Sequence, residues 1–511
     1  MSDDDVLIVG AGPTGLTLAI ELARRGAGVR IVDAARTPHR ESRGKGLQPR
    51  TLEVLEDLGV AERALATGTT RLPFRKYFDG THVNDTDPFA DALPTPDAPY
   101  ERGVLIGQWQ VEEILRERLA ELGVTVQPGT EVTGFEQDAD GVTAVLAGGD
   151  RIRAGHLVGC DGGRSRVRGA MGVRFDGTAD EAQSMVVGDV RAEGISRDVW
   201  HQWFTPDGGV MLCPVPGTDS FQFQAGPELD ASGEPLPPTL ESFQRIFDRH
   251  ARVPGITLTD PTWLSVWRVN VRMVDRMRAG RVFLAGDAAH VHPIAGGLGM
   301  NTGIQDAYNL GWKLALATAG QAGPGLLDTY EEERLPVAAW TLGISTDLYA
   351  RVREAVKEPG TGVEAAAPPP MGTGYRWSSL ATPSTPGGTG DPDVLRPGDR
   401  APDAPCLDAS GRRVRLFQVY ADPRFTLLGF GTEVAGAVGK LGAAYEGLVQ
   451  ACTVDGDEEG LRDHEGHARR AYGVTGPALV LVRPDNHIGL LTTDPAEVAA
   501  YLGRNVQIWP H

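Results

Sequence analysis

Val6-Leu7-Ile8-Val9-Gly10-Ala11-Gly12-Pro13-Thr14-Gly15 is the stretch that decides the fold. The four apolar residues form a short strand and the glycines a tight turn. Leu16 to Arg25, apolar at helical spacing, then form a helix that Gly26 ends. A second strand, Val29 to Val32, stops at Asp33. A strand, helix and strand in such short order join the two strands in parallel, so the chain begins as an α/β fold. The glycines follow G-x-G-x-x-G. Gly10 permits the turn, Gly12 lets backbone N–H groups approach a pyrophosphate at the helix N-terminus, and Gly15 lets helix and strand pack closely. Asp33, 18 residues past Gly15, can accept hydrogen bonds from a ribose diol. The unit is a dinucleotide site, and the motif alone does not separate NAD from FAD.

The same grammar returns downstream. Gly280-Arg281-Val282-Phe283-Leu284-Ala285-Gly286-Asp287-Ala288-Ala289-His290 is an apolar strand closing on Gly-Asp and small residues. It sets Asp287 at a strand's carboxyl end, where ligands bind in open α/β sheets. Pro293-Ile294-Ala295-Gly296-Gly297-Leu298-Gly299-Met300-Asn301 makes a second glycine-rich approach to a ligand and leads into a helix from Gly303. Val158-Gly159-Cys160-Asp161-Gly162-Gly163-Arg164-Ser165 again sets an acid and glycines after an apolar strand, a pattern an ordinary turn also produces. Two distant nucleotide-type sites suit one long dinucleotide. With a single G-x-G-x-x-G, no lasting second site for a nicotinamide is readable.

At 511 residues the chain is too long for one core. From about 180 to 270, segments such as Val199-Trp200-His201-Gln202-Trp203-Phe204 and Phe221-Gln222-Phe223-Gln224 alternate between turns, which predicts an inserted, largely antiparallel sheet. Helical character returns after Gly303 and runs to Tyr349, before a stretch of Pro, Gly, Thr and Ala that reads as a linker. Phe425 to Phe430, Ala437 to Leu448, and Ala478 to Thr492 predict a separate small α/β unit. The formal charge of -19 disfavours phosphate backbones and anionic membranes as partners. The acidic start Met1-Ser2-Asp3-Asp4-Asp5 lacks a signal peptide's basic region, and no apolar run is long enough to span a bilayer, so a cytoplasmic location is expected. Cys160, Cys213, Cys406 and Cys452 are widely spaced without C-x-x-C, which argues against disulfides, zinc and dithiol redox chemistry. No metal is expected.

In this order and spacing the three glycine-acid elements resemble the FAD fingerprint, the DG motif and the GD motif of the para-hydroxybenzoate hydroxylase-like flavoprotein monooxygenases, over about residues 5 to 345. Gly374-Tyr375-Arg376, Pro397-Gly398-Asp399-Arg400-Ala401-Pro402 and Leu481-Val482-Arg483-Pro484-Asp485 resemble the phenol hydroxylase and aromatic polyketide hydroxylase branch, whose members carry a thioredoxin-like C-terminal domain. The resemblance implies a Rossmann-type FAD-binding domain over 1–180 and 271–350, an inserted antiparallel-sheet substrate domain over 181–270, a linker over 351–396, and a thioredoxin-like domain over 397–511. It also implies which residues hold FAD: Gly10, Gly12, Pro13, Thr14 and Gly15 at the turn, Asp33 and Ala34 at the adenosine ribose, and Arg43 and Gly44 near the pyrophosphate and flavin. Gln108, Gly286 and Asp287 would face the ribityl chain. Pro293, Gly297, Leu298, Gly299, Met300 and Asn301 would lie along the ring system, and Val132 and Asp161 complete the set. This chain departs from the pattern in having Asp33 where Glu is common, and Gly296-Gly297-Leu298-Gly299 where Gly-Gly-Gln-Gly is frequent.

The activity so implied is hydroxylation of an aromatic ring, with NAD(P)H as a visiting co-substrate and O2 activated as a flavin C4a-hydroperoxide. The roof over the substrate is expected from Trp203, Met211, Leu212, Phe221 and Phe223, with Pro293 and Ala295 beside it. Arg43 is the candidate catalytic residue. No general base stands out, since a phenolic substrate activates its own ring once deprotonated, and His290 and His292 read as structural hydrogen-bonders. Arginine outnumbers lysine by 44 to 5, and this bias together with the tail favours a polycyclic polyketide of antibiotic biosynthesis over simple phenol. A homodimer is an open expectation. A Baeyer-Villiger or epoxidising reaction, or a flavin-binding partner protein without turnover, remain alternatives at this point.

Overall fold

Sheets of seven, eight, two and four strands run through the computed structural model, which describes residues 4–87, 89–292, 295–355, 357–362, 374–382 and 394–506. The first sheet forms around the opening motif. Asp4–Val9 lies between Val29–Val32 and Arg151–Gly159, and Val282–Leu284 joins the far side of Arg151–Gly159, all parallel. Val6, Leu7 and Ile8 are all buried, so both faces of the sheet are covered, as parallel sheets require. Helices Pro13–Ala23 and Leu298–Thr318 pack on one another beside this sheet. The register is what matters for function. Val9 pairs with Val32 and with Gly159, and Gly159 pairs with Leu284, so four strands end level. Gly10, Asp33, Asp161 and Asp287 therefore emerge along one edge of the sheet, although they are spread over 278 residues of sequence from Gly10 to Asp287.

The eight-stranded sheet is ordered His290–Val291, Leu258–Val274, Phe175–Ala192, Phe221–Ala225, Gly208–Pro214, Trp200–Thr205, Phe74–Phe78, Thr81–Thr86. It is antiparallel except where Phe74–Phe78 runs parallel to Trp200–Thr205. The sheet is thus wider than the 181–270 segment, since two strands come from residues 74–86 and its long strands begin and end outside that span. Side chains alternate between its faces. Trp203, Val210, Leu212, Phe221 and Phe223 pack on Phe243, Ile246 and Phe247 of helix Leu240–Ala251. That helix starts at a reciprocal cap in which Ser242 N donates to Thr239 Oγ1 (3.1 Å) and Thr239 N donates to Ser242 Oγ (2.9 Å). Gln202, Met211, Cys213 and Gln222 alternate with those core residues and point to the opposite face.

In the C-terminal sheet Phe425–Phe430 pairs in parallel with Val449–Val454 and antiparallel with Ala478–Val482, which pairs in turn with Ile488–Thr492. This unit is not loosely appended. Trp312 of the 298–318 helix meets Phe425 edge to face at 5.6 Å within a shared core. Arg483, in the turn after Ala478–Val482, donates to both oxygens of Glu333 (2.5 and 3.0 Å), and Lys313 Nζ donates to the same carboxylate (2.7 Å). Asp485 accepts from Trp312 Nε1 (3.1 Å) and pairs with Arg483. Next to Glu333, Arg334 donates to Asp306 (2.7 Å) and to the Tyr375 hydroxyl (2.9 Å). All of these groups are buried, and every charge has an opposite partner. Among the described residues no helix is long and apolar enough to cross a membrane.

Candidate active site

The glycine turn separates positions that must be small for packing from one that leaves room. A side chain at Gly10 would run into the Cys160 carbonyl, and one at Gly15 into the Gly10 carbonyl. At Gly12, the N-cap of helix Pro13–Ala23, nothing lies within 4 Å of where a Cβ would stand. Open space at the positive end of a helix, with Pro13 at its first turn, fits a pyrophosphate. Thr14 packs into the gap left by Gly286 and Gly303, where a Cβ at either would collide with its hydroxyl. The Asp33 carboxylate is fixed over the turn by Ala11 N and Ala35 N, both donating at 2.7 Å, with Ala34 exposed beside it.

The segment Ser42–Gln48 closes the other side of this edge and is tied in three directions. Ser42 N donates to Asp189 (2.9 Å) and Gln222 Nε2 donates to Ser42 O, which bind it to the eight-stranded sheet. Gln108 N donates to Gly44 O (2.9 Å) from the start of helix Gln108–Glu121. Asn301 Nδ2 donates to Gly46 O (3.0 Å) and to Gly297 O (2.7 Å), while Gln48 N donates to Asn301 Oδ1 (2.8 Å). Gly44 lies against Gln108 and Met300, its absent Cβ position being 3.2 Å from Gln108 Oε1 and 3.8 Å from Met300 Cε. The positive φ of Gly296 (+76°) and Gly297 (+61°) turns the chain into the 298–318 helix and brings Gly299 back towards Asp287. Asp287 is exposed between buried Gly286 and Ala288, an acid held facing a groove rather than packed. Exposed Arg43 pairs with Glu41, its Nε donating at 2.6 Å, and its charge reaches Asp287.

The expected residues thus gather at one edge, with several changes of role. Trp203, Leu212, Phe221 and Phe223, expected to roof a substrate, instead fill the core under helix 240–251; only Met211 of that set lies on the opposite face. The reason is strand alternation: the aromatic row is the buried row. Asp161 accepts from Arg166 N (2.7 Å), Val167 N (3.2 Å) and the Ser165 hydroxyl, so its acid caps the start of helix Arg166–Met171. The side chains of Val132 and Leu298 are buried in the protein, and Asn301 is a tie between loops. Pro293 lies outside the described residues, and only the backbone of Ala295 is described. His290 is buried between Asp306 (2.7 Å) and His292 (2.9 Å). Burial would raise Asp306, but Arg334 and His290 hold it down to about 2; burial, then His290, pushes His292 down to about 3.

Ser42, Lys45, Asp189, Trp200, Cys213 and Gln222 were not anticipated, yet they form the wall where the segment meets the sheet. Ser42, Lys45, Cys213 and Gln222 line a cavity there with room for about one water. The polar positions Gln222 and Gln224, alternating with Phe221 and Phe223, were the signal that could have found this face.

A family described as FAD binding domain matches residues 3–343. A flavin-dependent monooxygenase of Mycobacteroides abscessus is 43% identical over 98% of this chain and 100% of its own length. The 6-methylpretetramide 4-monooxygenase of Streptomyces rimosus is 38% identical over 94% of this chain and 90% of its own. Among solved structures, aklavinone-11 hydroxylase in a ternary complex with FAD and aklavinone superposes with a TM-score of 0.81 at 30% identity, covering 99% of both chains. The likeness therefore continues beyond residue 343 into the C-terminal unit.

Proposed function

This chain belongs to the FAD binding domain family of flavin-dependent monooxygenases, and from that premise we propose that it hydroxylates a polycyclic aromatic ring of polyketide type with NAD(P)H and O2. The observation that carries the reading is the level edge of four parallel strands, open at Gly12 and facing the polar side of the eight-stranded sheet across Ser42–Gln48. The Gly10–Gly15 turn would hold the pyrophosphate, Asp33 and Ala34 the adenosine ribose, and Gly44, Gln108, Asp287, Gly299 and Met300 the ribityl and ring portions. Arg43, the one exposed cation facing Asp287 from this segment, would steer the anionic cofactor and nicotinamide. Bound FAD supplies the hydride carrier and the activation of O2. The protein's own task is to orient the ring and keep water from the reacting atoms, which Met211, Cys213 and Gln222 would do from the sheet.

The layout that goes with this reading is a FAD-binding domain over 1–180 and 271–350, a substrate domain over 181–270 widened by residues 74–86, a linker over 351–396, and a thioredoxin-like domain over 397–511. The strand order of the last, second-first-third-fourth with only the first pair parallel, supports it. Burial pushes the thiols Cys406 and Cys452 up to about 12 and about 11, so a packing role suits the domain better than thiolate chemistry.

The test is the visible spectrum of the purified protein, followed by NADPH in air with a panel of polycyclic aromatics. Oxidised-flavin bands, with bleaching and oxygen uptake that a substrate accelerates, are expected. A colourless protein that cannot be reconstituted with FAD, or a flavoprotein whose NADPH oxidation no aromatic stimulates, would refute the proposal.

A further inference from the structure

Lys45 is one of only five lysines in the chain, and its ammonium is buried with no hydrogen-bond partner among the described residues. Its Nζ lies 3.9 Å above the ring of Trp200, a contact that offsets only part of the desolvation of a buried cation. The titratable groups facing it are Asp189, on Phe175–Ala192, and Cys213, on Gly208–Pro214, and neither closes to an ion pair. Burial lowers the Lys45 pKa against the pull of both, which makes the neutral amine accessible. The buried Ser42 hydroxyl and Trp263 indole N–H face the Asp189 carboxylate, so its pull on Lys45 is shared with them. Lys45 thus stands as an unpartnered donor of the wall, on the side of the sheet opposite the aromatic core and beside Gly44 and Gln108. Arginine, the residue this chain otherwise favours, could not give up its proton there.

We propose that Lys45 takes the proton of a ring hydroxyl on the aromatic substrate and then holds the oxygen anion. The O–H bond breaks with its electron pair left on oxygen, and the proton forms the new N–H bond of the ammonium. Amine and phenol become ammonium and phenolate, with no other reactant. The ionised oxygen feeds electron density into the ring, which supplies the activation for which no base was evident in the sequence. The inference rests on the aromatic-substrate reading.

Wild-type, Lys45→Met and Lys45→Arg holoenzymes are titrated with 2-hydroxyanthraquinone and 2-methoxyanthraquinone. The dye's visible band reports ionisation and the flavin band reports FAD content. The wild type should bind the hydroxy dye as its anion at a pH where the free dye is neutral, and bind the methoxy dye roughly tenfold or more weakly. Lys45→Met should keep its FAD, bind the two dyes alike and leave the hydroxyl protonated. Lys45→Arg should bind the anion only when the dye is ionised beforehand. A Lys45→Met protein that still binds the dye as its anion with wild-type affinity, or that loses FAD, would overturn the inference. So would a wild type that binds both dyes equally, with the aromatic reading intact; a wild type that binds neither overturns both.

Discussion

Behind the loop that reaches Asp287, the charges of Asp306, Lys313, Glu333, Arg334, Arg483 and Asp485 are buried and closed on one another within hydrogen-bonding distance. In front of it, Lys45 and Asp189 are withdrawn from water near each other without pairing. Burial raises Asp189 despite the Ser42 N–H, and lowers Lys45, so each is pushed towards its neutral form. The first arrangement holds parts of the molecule together, and the second keeps binding capacity in reserve for a ligand. The difference between them is a matter of partners, not of depth.

The largest effect should come from breaking the closed set. Arg483→Met leaves Asp485 buried without its arginine and Glu333 with Lys313 alone, and should cost about 3–5 kcal/mol in chemical denaturation. Adding Asp485→Asn, with Lys313 still bonded to Glu333, should recover part of it; no loss from the single change would break the comparison. Acid should act on the same region. His292 titrates in the unfolded chain near 6.5 and in the folded protein at about 3, so the unfolded state binds the proton first and stability falls as pH drops from 6.5 towards 3. Buried His156, lowered to about 4 by desolvation and then by Arg281, adds to this. Melting temperatures across that window should decline, with each histidine contributing at most about 1.4 kcal/mol per pH unit.

A smaller effect should separate two neighbouring acids. Asp287→Asn should leave the melting temperature of the cofactor-free protein unchanged while weakening FAD retention roughly tenfold, because Asp287 faces the groove. Asp306→Asn should lower the melting temperature, since buried Arg334 loses its counter-charge. The smallest change is expected for the stability of Lys45→Met. Without ligand, removal of an unpaired buried amine should leave the melting temperature unchanged or slightly raised, by about 1 kcal/mol at most. A clear drop would mean that Lys45 belongs with the structural ions.

What was legible in the sequence was local. Each of the four parallel strands of the first sheet announces its carboxyl end by an apolar run closing on glycine, an acid or both, which is why Gly10, Asp33, Asp161 and Asp287 could be read as neighbours before their register was known. The faces of the eight-stranded sheet are legible too: large aromatics suggest a binding surface by residue type, but their alternation with Gln222 and Gln224 marks them as core. Long-range facts were not legible. Arg483 stood in a recognisable motif, but nothing near it in sequence points to Glu333, 150 residues away. Nor does residue type alone show that Lys45 lacks a partner, because pairing is a property of neighbours that only the fold brings together.

The ion set joining Glu333 to Arg483 also bears on how such chains can diversify. The stretch 351–396, where composition looks most divisible, lies between these two residues. A crossover there, exchanging the last part of this chain for a relative's, would set one lineage's carboxylate against another's guanidinium. The exchange would succeed only where both lineages kept the same lock, so a working swap would have to carry the C-terminal unit together with the helix it grips.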